Sequence, residues 1–376
     1  MASRLATVCA ETLALARQLQ QIPGPTFHEA RRAAWMMQRW RARGLTPWQD
    51  ALGNVYVRWP GRDPNARPVV VTAHLDTVFP LDTDLTLRED SGRWYGPGIG
   101  DNSIGVAGLL GLHALLAQAT PLPFDLYLVA NVREEGLGNL DGMRAVVDRF
   151  QGRPRAYIVL EGLALGLIYH RAVASRRYRI LVRTPGGHPW SRAAGPSAVH
   201  VVARMVADLA QRPAQEQPRT VLNVGRIWGG TSVNTVAAEA GFDLDVRSED
   251  PGVLDAWASW ALARVRSHGA PRVEVHVETL GVRPGGALPP DHPLVRTAWL
   301  AYESQGITPQ LWSGSTDANV PLSRGYPAIT VGLTRGGGAH TRHEYIEVSP
   351  VCQGLAALAR LVRLLALEAE ERASSG

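Results

Sequence analysis

The sequence predicts an α/β protein in two parts, a sheet with helices on both faces and a smaller domain inserted into it. Three observations point there. Strand-like apolar runs alternate with helical patterns over the first 160 or so residues, as they do when helices cover both faces of a sheet. Between about Arg176 and Thr279 the order changes to β-α-β-β-α-β, and the first pattern then resumes. The 376 residues, at roughly 100 to 200 per domain, supply two domains with buried cores.

In order, an amphipathic pattern over 2–20 predicts the first helix, and Ile22-Pro-Gly-Pro ends it. Thr26-x-x-Glu29 reads as a capping box opening the second. Strands are predicted at 54–59 and 68–73, and alternation over 85–95 around Asp90-Ser-Gly predicts a hairpin. The segment 98–108 leads into a helix ending near 118, and 124–131 and 156–160 are further strands. The inserted unit reads as strand 177–183, helix 197–210, strands 220–228 and 242–246, helix 254–266 and strand 272–278. Arg283-Pro-Gly-Gly-Ala-Leu-Pro-Pro is the linker back, and the last helix starts with Ser349 as cap and Pro350 at its first position. The expected division is 1–174, 175–284 and 285–376, the middle part being the insertion.

Composition excludes several classes. All 39 basic residues are arginine, which removes Schiff-base, pyridoxal-phosphate, P-loop and kinase chemistry, since each needs a lysine ammonium at a defined place. Cys9 and Cys352 cannot build a disulfide framework or a thiolate zinc site, so any metal sits on His, Asp and Glu. Arg4 and Glu11 interrupt the amino-terminal apolar stretch, which therefore lacks the core of a signal peptide. The apolar run 106–118 contains His113 and falls short of the ~18 residues a membrane span needs. The expectation is a cytoplasmic protein without a membrane partner.

A net charge of +5 and a pI near 9.5 permit nucleic-acid binding. From Arg153 to Arg204 the only acidic residue is Glu161, among Arg155, Arg171, Arg176, Arg177, Arg179, Arg183 and Arg192. Aromatic residues do not interleave with these arginines as a single-strand binder requires, so no nucleic-acid partner is expected. A positive mouth that attracts carboxylate-bearing substrates is the sharper reading, and a solvated basic face the plainer one.

Five segments could carry chemistry. His74-Leu-Asp76 follows an apolar strand, and the period of two puts both side chains on one side, where a carboxylate can hold a metal-binding imidazole; alone, it serves a structural histidine equally well. Gly98-Ile-Gly-Asp101-Asn-Ser-Ile-Gly105 is a flexible loop before a helix, in which Asp101 could bridge two cations or cap the helix. Arg133-Glu134-Glu135-Gly136 emerges at a strand's carboxyl end, where one glutamate can bind a cation while its neighbour stays free as a general base. Glu161 ends another strand, with a salt bridge as its alternative role. The glycine-rich loop 336–345 holds His340, His343 and Glu344, and either histidine could be a ligand. Such donors suit zinc, with cobalt or manganese as substitutes.

Together and in this order, these segments resemble the co-catalytic zinc exopeptidase and deacylase family of carboxypeptidase G, peptidase T, aminoacylase and acetylornithine deacetylase. The resemblance spans nearly the whole chain and includes Gly186-Gly-His188 and Gly229-Gly-Thr-Ser-Val-Asn234 in the insertion. It implies a zinc-exopeptidase-like mixed sheet flanked by helices, with a ferredoxin-like lid and dimerisation domain inserted. It further implies two Zn2+ per subunit, with Asp101 bridging them, His74 and Glu161 completing one site and Glu135 and His340 the other. By the same resemblance Asp76 supports a ligand, Glu134 takes the proton of the attacking water, and His188 reaches across a homodimer to the oxyanion. Asn234 and Arg247 bind substrate, Arg247 through a terminal carboxylate, and the Asp101-Asn102 peptide is cis.

Val236-Ala237 replaces the family's usual Ile-Pro, and Pro189-Trp190 follows the lid histidine, which leaves the pocket shape open. Glu344 lies four residues after His340, as the family pattern requires, and the segment 314–319 resembles one that lines the site, with a turn and helix cap as its alternative. The implied activity is zinc-dependent exopeptidase action on small peptides. An N-acyl-amino-acid deacylase would use the same residues. A non-catalytic metal-dependent binding protein would have no need of Glu134 as a free base beside a metal.

Overall fold

Runs rich in Val, Ile and Ala make the strands that support everything else. The computed structural model describes residues 2–117 and 120–374, in two compact units: Met1–Ala172 with Ala287–Gly376, and Val173–Gly286.

In the first unit the sheet runs Trp48–Gln49, Val55–Trp59, Leu126–Asn131, Val69–His74, Ala156–Leu160, Ala328–Val331 and Leu167–Ala172. The four central strands of this series are mutually parallel, and antiparallel pairs flank them, so the sheet is mixed. Val69–His74 and Ala156–Leu160 are buried throughout, as strands covered on both faces must be. Ala30–Ala42 packs on Val55–Trp59, Asp141–Phe150 on Leu126–Asn131, and Ile104–Leu116 against the helices Ala2–Gln20 and Val351–Ser374. Cys9 and Cys352, 343 residues apart, form a disulfide between the first and last of these helices, a pairing the sequence reading leaves out. Among the described residues the stretch Ile99–Leu116 is long and apolar enough to cross a membrane, but 83% of it is buried, and it serves as a core helix.

The helix Asp141–Phe150 and the strand Leu167–Ala172 are among the elements that lie outside the sequence expectations. The helix Asp141–Phe150 follows Asn139 and Leu140, both at positive φ, so no capping residue announces its start. The strand Leu167–Ala172 holds Tyr169, His170 and Arg171 and has no apolar run. The predicted hairpin is shorter than expected, pairing Arg88–Asp90 with Arg93–Tyr95, and Tyr345–Glu347 adds to it as a further strand.

The capping box requires correction. Thr26 Oγ1 donates to Asp76 Oδ2 at 2.9 Å, and Glu29 Oε1 accepts from the amides of Phe27 and Arg133. The helix does begin after Glu29, but without a side-chain cap. The buried carboxylate of Asp76 and the amide of Arg133 outbid the helix end for these side chains.

The second unit's sheet is antiparallel, in the order Gln215–Glu216, Arg219–Gly229, Glu239–Ser248, Ala174–Arg183 and Glu274–Arg283. Helices Ala198–Ala210 and Pro251–Ser267 pack on it. Asp250 caps the second of these by accepting from the Val253 amide, and Pro251 occupies its first turn. Part of the arginine-rich run is neutralised within this unit. Arg177 faces Asp245, Arg179 faces Asp243 and Arg183 faces Glu239 across adjacent strands, with N–O separations of 3.0, 2.9 and 3.0 Å, while Arg176 pairs with Asp255. The carboxylates facing Arg177, Arg179 and Arg183 come from a strand roughly 60 residues further on, which a local count of charge does not see.

Candidate metal centre

Parallel strands deliver their carboxyl ends to one edge of a sheet, which is where open α/β proteins place ligands. His74 is the last residue of Val69–His74, Glu161 follows Ala156–Leu160, and Glu134 and Glu135 follow Leu126–Asn131; these three strands are neighbours. Asp101 comes from the turn Ile99–Ser103, and His340, at φ 65°, from the loop before Tyr345–Glu347.

Asp101 divides its two oxygens. Oδ1 lies 3.0 Å from His74 Nε2, and Oδ2 lies 3.0 Å from His340 Nε2. Glu161 Oε2 is 3.7 Å from His74 Nε2, and Glu135 Oε1 is 3.0 Å from His340 Nε2. Two sets result, His74–Asp101–Glu161 and Asp101–Glu135–His340, each with donor atoms within 4.8 Å of one another. Buried Glu134 shares a third such set with His74 and Glu135. His343 is exposed and lies outside all three.

The electrostatics are those of a site short of positive charge. Burial pushes the carboxyls of Glu135 and Glu161 up to about 7, with Glu134 adding to the effect on Glu135. Hydrogen bonding to Asp101 and Glu135 lifts His340 to about 10. Burial also acts against the charged form of Asp101, but contacts with His340 and His74 outweigh it and hold this carboxyl well below its ordinary range. A divalent cation relieves the same repulsions, and three carboxylates with two imidazoles form the donor set that zinc takes when cysteine is absent.

Supporting residues fix these ligands. His74 Nδ1 faces the Asp76 backbone oxygen at 3.1 Å, which turns Nε2 towards Asp101. The Asp76 carboxylate is 3.5 Å from Nδ1, and its shorter bonds are to the amides of Glu134 at 3.0 Å and Glu135 at 2.9 Å, so it aligns both glutamates as well as the histidine. Asn102 donates to the Leu160 carbonyl and accepts from the Gly162 amide, tying the Asp101 turn to the strand before Glu161. The Asp101-Asn102 peptide is cis. A Cβ at Gly162 would overlap the Gly100 carbonyl, which explains the glycine there.

Glu344 accepts from the amides of Gly98 at 2.9 Å, Gly100 at 2.7 Å and Asp101 at 2.8 Å. It therefore shapes the backbone that presents Asp101. Glu344→Gln turns an N–H donor towards at least one of those amides, and a buried unpaired donor costs about 1 to 3 kcal/mol. Urea denaturation of chelator-treated protein is expected to show that loss; an unchanged midpoint would remove Glu344 from this role.

His188, Asn234 and Arg247 belong to the second unit. His188 is exposed and accepts from the Trp190 amide through Nδ1, Asn234 is exposed and bonded to Ser232, and Arg247 makes a two-pronged pair with Asp245 at 2.8 and 3.1 Å. Asp245 is thus the partner of Arg247. Thr26, Glu29 and Asn102 are supporting residues that sequence reasoning misses, because each acts on a segment distant in the chain. Arg32, fully buried and donating to the carbonyls of Ile22 and Leu75, is another.

A mixed α/β sheet with clustered histidines and carboxylates at its parallel strand ends defines a class, the hydrolases that work at such a cluster. The chain belongs to peptidase family M20/M25/M40, whose family model matches residues 70–364. It is a hydrolase of peptide or amide bonds. The succinyl-diaminopimelate desuccinylase of Corynebacterium glutamicum is 25% identical over 349 residues, covering 91% of this chain and 93% of the relative. The structure of a tripeptidase from Staphylococcus aureus superposes with a TM-score of 0.80 at 20% identity, covering 95% of this chain and 98% of that one. A Bacillus subtilis protein described as a dinuclear metal-binding peptidase superposes with a TM-score of 0.68 at 14% identity, covering 96% and 99%.

Proposed function

We propose that the protein is a metal-dependent exopeptidase of small peptides that holds two zinc ions, with Asp101 shared between them. The observation that carries this reading is the division of the Asp101 oxygens between two His–Glu pairs. His74 and Glu161 would hold one ion, and Glu135 and His340 the other. When bound, the ions supply Lewis acidity that polarises the scissile carbonyl and makes water acidic. Glu134, aligned through its amide by Asp76, takes the proton of the attacking water and returns it to the leaving amine. We read the second unit as a ferredoxin-like lid and dimerisation domain of a cytoplasmic homodimer, with Asn234 and Arg247 on the substrate and His188 at the oxyanion of the partner's site.

A second reading, deacylation of N-acyl amino acids, is favoured by the desuccinylase relative and uses the same centre. One panel separates them: dipeptides, tripeptides, their C-terminal amides and N-acetyl amino acids, assayed with added zinc or cobalt and with products identified by mass. Cleavage of peptides with a free carboxylate supports the exopeptidase. Preference for the N-acetyl amino acids would replace it with the deacylase, and no cleavage of any member would sink both. In the same panel Arg247→Ala is expected to lose about 30-fold or more in kcat/KM on acids and much less on amides; equal losses would remove its carboxylate role.

Action of His188 across a dimer has its own test. Mixing inactive Glu134→Gln protein with inactive His188→Ala protein should restore part of the activity, because one site of the hybrid carries both residues. No recovery after verified subunit exchange would place His188 within its own chain.

A further inference from the structure

Asn131 ends the strand that leads into Glu134 and Glu135, and its side chain meets a carboxyl from far along the sequence. Its Nδ2 donates to Asp317 Oδ2 at 2.7 Å, and both residues are fully buried. The Asn131 amide oxygen Oδ1 and the second carboxyl oxygen of Asp317, Oδ1, have no hydrogen-bond partner among the described residues. Two buried acceptors with no donor, on groups already joined by one hydrogen bond, are costly if Asp317 is ionised. One proton resolves both. A carboxylic acid O–H on Asp317 Oδ1 can donate to Asn131 Oδ1 while the Asn131 N–H donates to Asp317 Oδ2, closing an eight-membered ring.

We propose that Asp317 is a neutral carboxylic acid locked in a cyclic acid–amide pair with Asn131, and that this pair is a positioning device for the turn bearing Glu134 and Glu135. Full burial of Asp317, the largest influence on it, raises its carboxyl above the ordinary range. Both ends of the pair are anchored. The Asn131 carbonyl accepts from the Leu75 amide at 2.7 Å, in the segment between His74 and Asp76. On the other side Thr316 pairs its hydroxyl with that of Thr330 in a central strand and gives its amide to Asn319 Oδ1. The pair thus braces the strand end before the two glutamates against the turn 314–319. Its effect on turnover rests on the proposed role of Glu134; the protonation state of Asp317 does not.

Asp317→Asn and Asp317→Ala, both zinc-loaded, test the device. An asparagine at 317 rebuilds the ring as an amide–amide pair, so kcat should stay within about twofold of the parent, whereas alanine leaves Asn131 unpaired and should lower kcat by about 10- to 100-fold through misplacement of Glu134. The infrared difference spectrum of parent minus Asp317→Asn should contain a protonated-carboxyl carbonyl band. If Asp317→Asn does not fold, parent protein carrying 13C-carboxyl aspartate gives the same reading, since an aspartic-acid band must move on labelling. A folded Asp317→Asn as slow as Asp317→Ala, or absence of the band, overturns the proposal. The infrared reading is independent of activity, so a protein that cleaves nothing in the substrate panel can still show the band, and a missing band leaves the hydrolase reading intact.

Discussion

Glu134→Gln is expected to keep its metal and its fold and to lose about 100-fold to 10,000-fold in kcat, the range that a positioned proton shuttle contributes. The substitution is nearly isosteric. The backbone amide of residue 134 still bonds to Asp76, so the alignment of the turn survives, and the loss falls on proton transfer alone. Glu134 lies among ligand-type atoms of His74 and Glu135, so a proton taken there stays within the site where the leaving amine forms. Metal content and kcat, measured on the same preparation, check this. A variant that turns over the best substrate at a tenth of the parent rate would show that another group is the base.

Asp101→Ala is expected to remove both ions, since this carboxylate faces each His–Glu pair with a different oxygen. Partners that merely orient a ligand cost about 10- to 100-fold in metal affinity when lost, and loss of a shared ligand exceeds that. His340→Ala should lower the content by one ion and His343→Ala should leave it near normal, because only His340 lies within 3.0 Å of Asp101 and Glu135. If His343→Ala sheds the ion and His340→Ala keeps it, the ligand is His343.

The ligand blocks are legible in the sequence because each sits beside a local signal: an apolar strand before His74-Leu-Asp76 and before Glu161, a glycine loop around Asp101 and another before His340. The loop's own residues leave His340 and His343 open, and only the family pattern, with Glu344 four residues after His340, favours His340; in the structure His340 Nε2 lies 3.0 Å from Asp101 Oδ2. Thr26 illustrates a different limit. Its spacing to Glu29 matches a capping box, yet a buried carboxylate fifty residues on takes its hydroxyl, and no local pattern encodes that competition. Arg177, Arg179 and Arg183 read as a basic surface until the register of Ala174–Arg183 against Glu239–Ser248 sets each beside an acid. The helix Asp141–Phe150 is illegible for a smaller reason, the positive φ of Leu140 where a cap would stand.

The proposed two-ion centre consists of Asp101 with His74, Glu161, Glu135 and His340. Zinc per chain, measured by atomic emission after reconstitution and removal of free metal, tests it most directly. The expected result is two for the parent and for Glu134→Gln, with none retained by Asp101→Ala. One ion or none in the parent, or a full complement in Asp101→Ala, would contradict it.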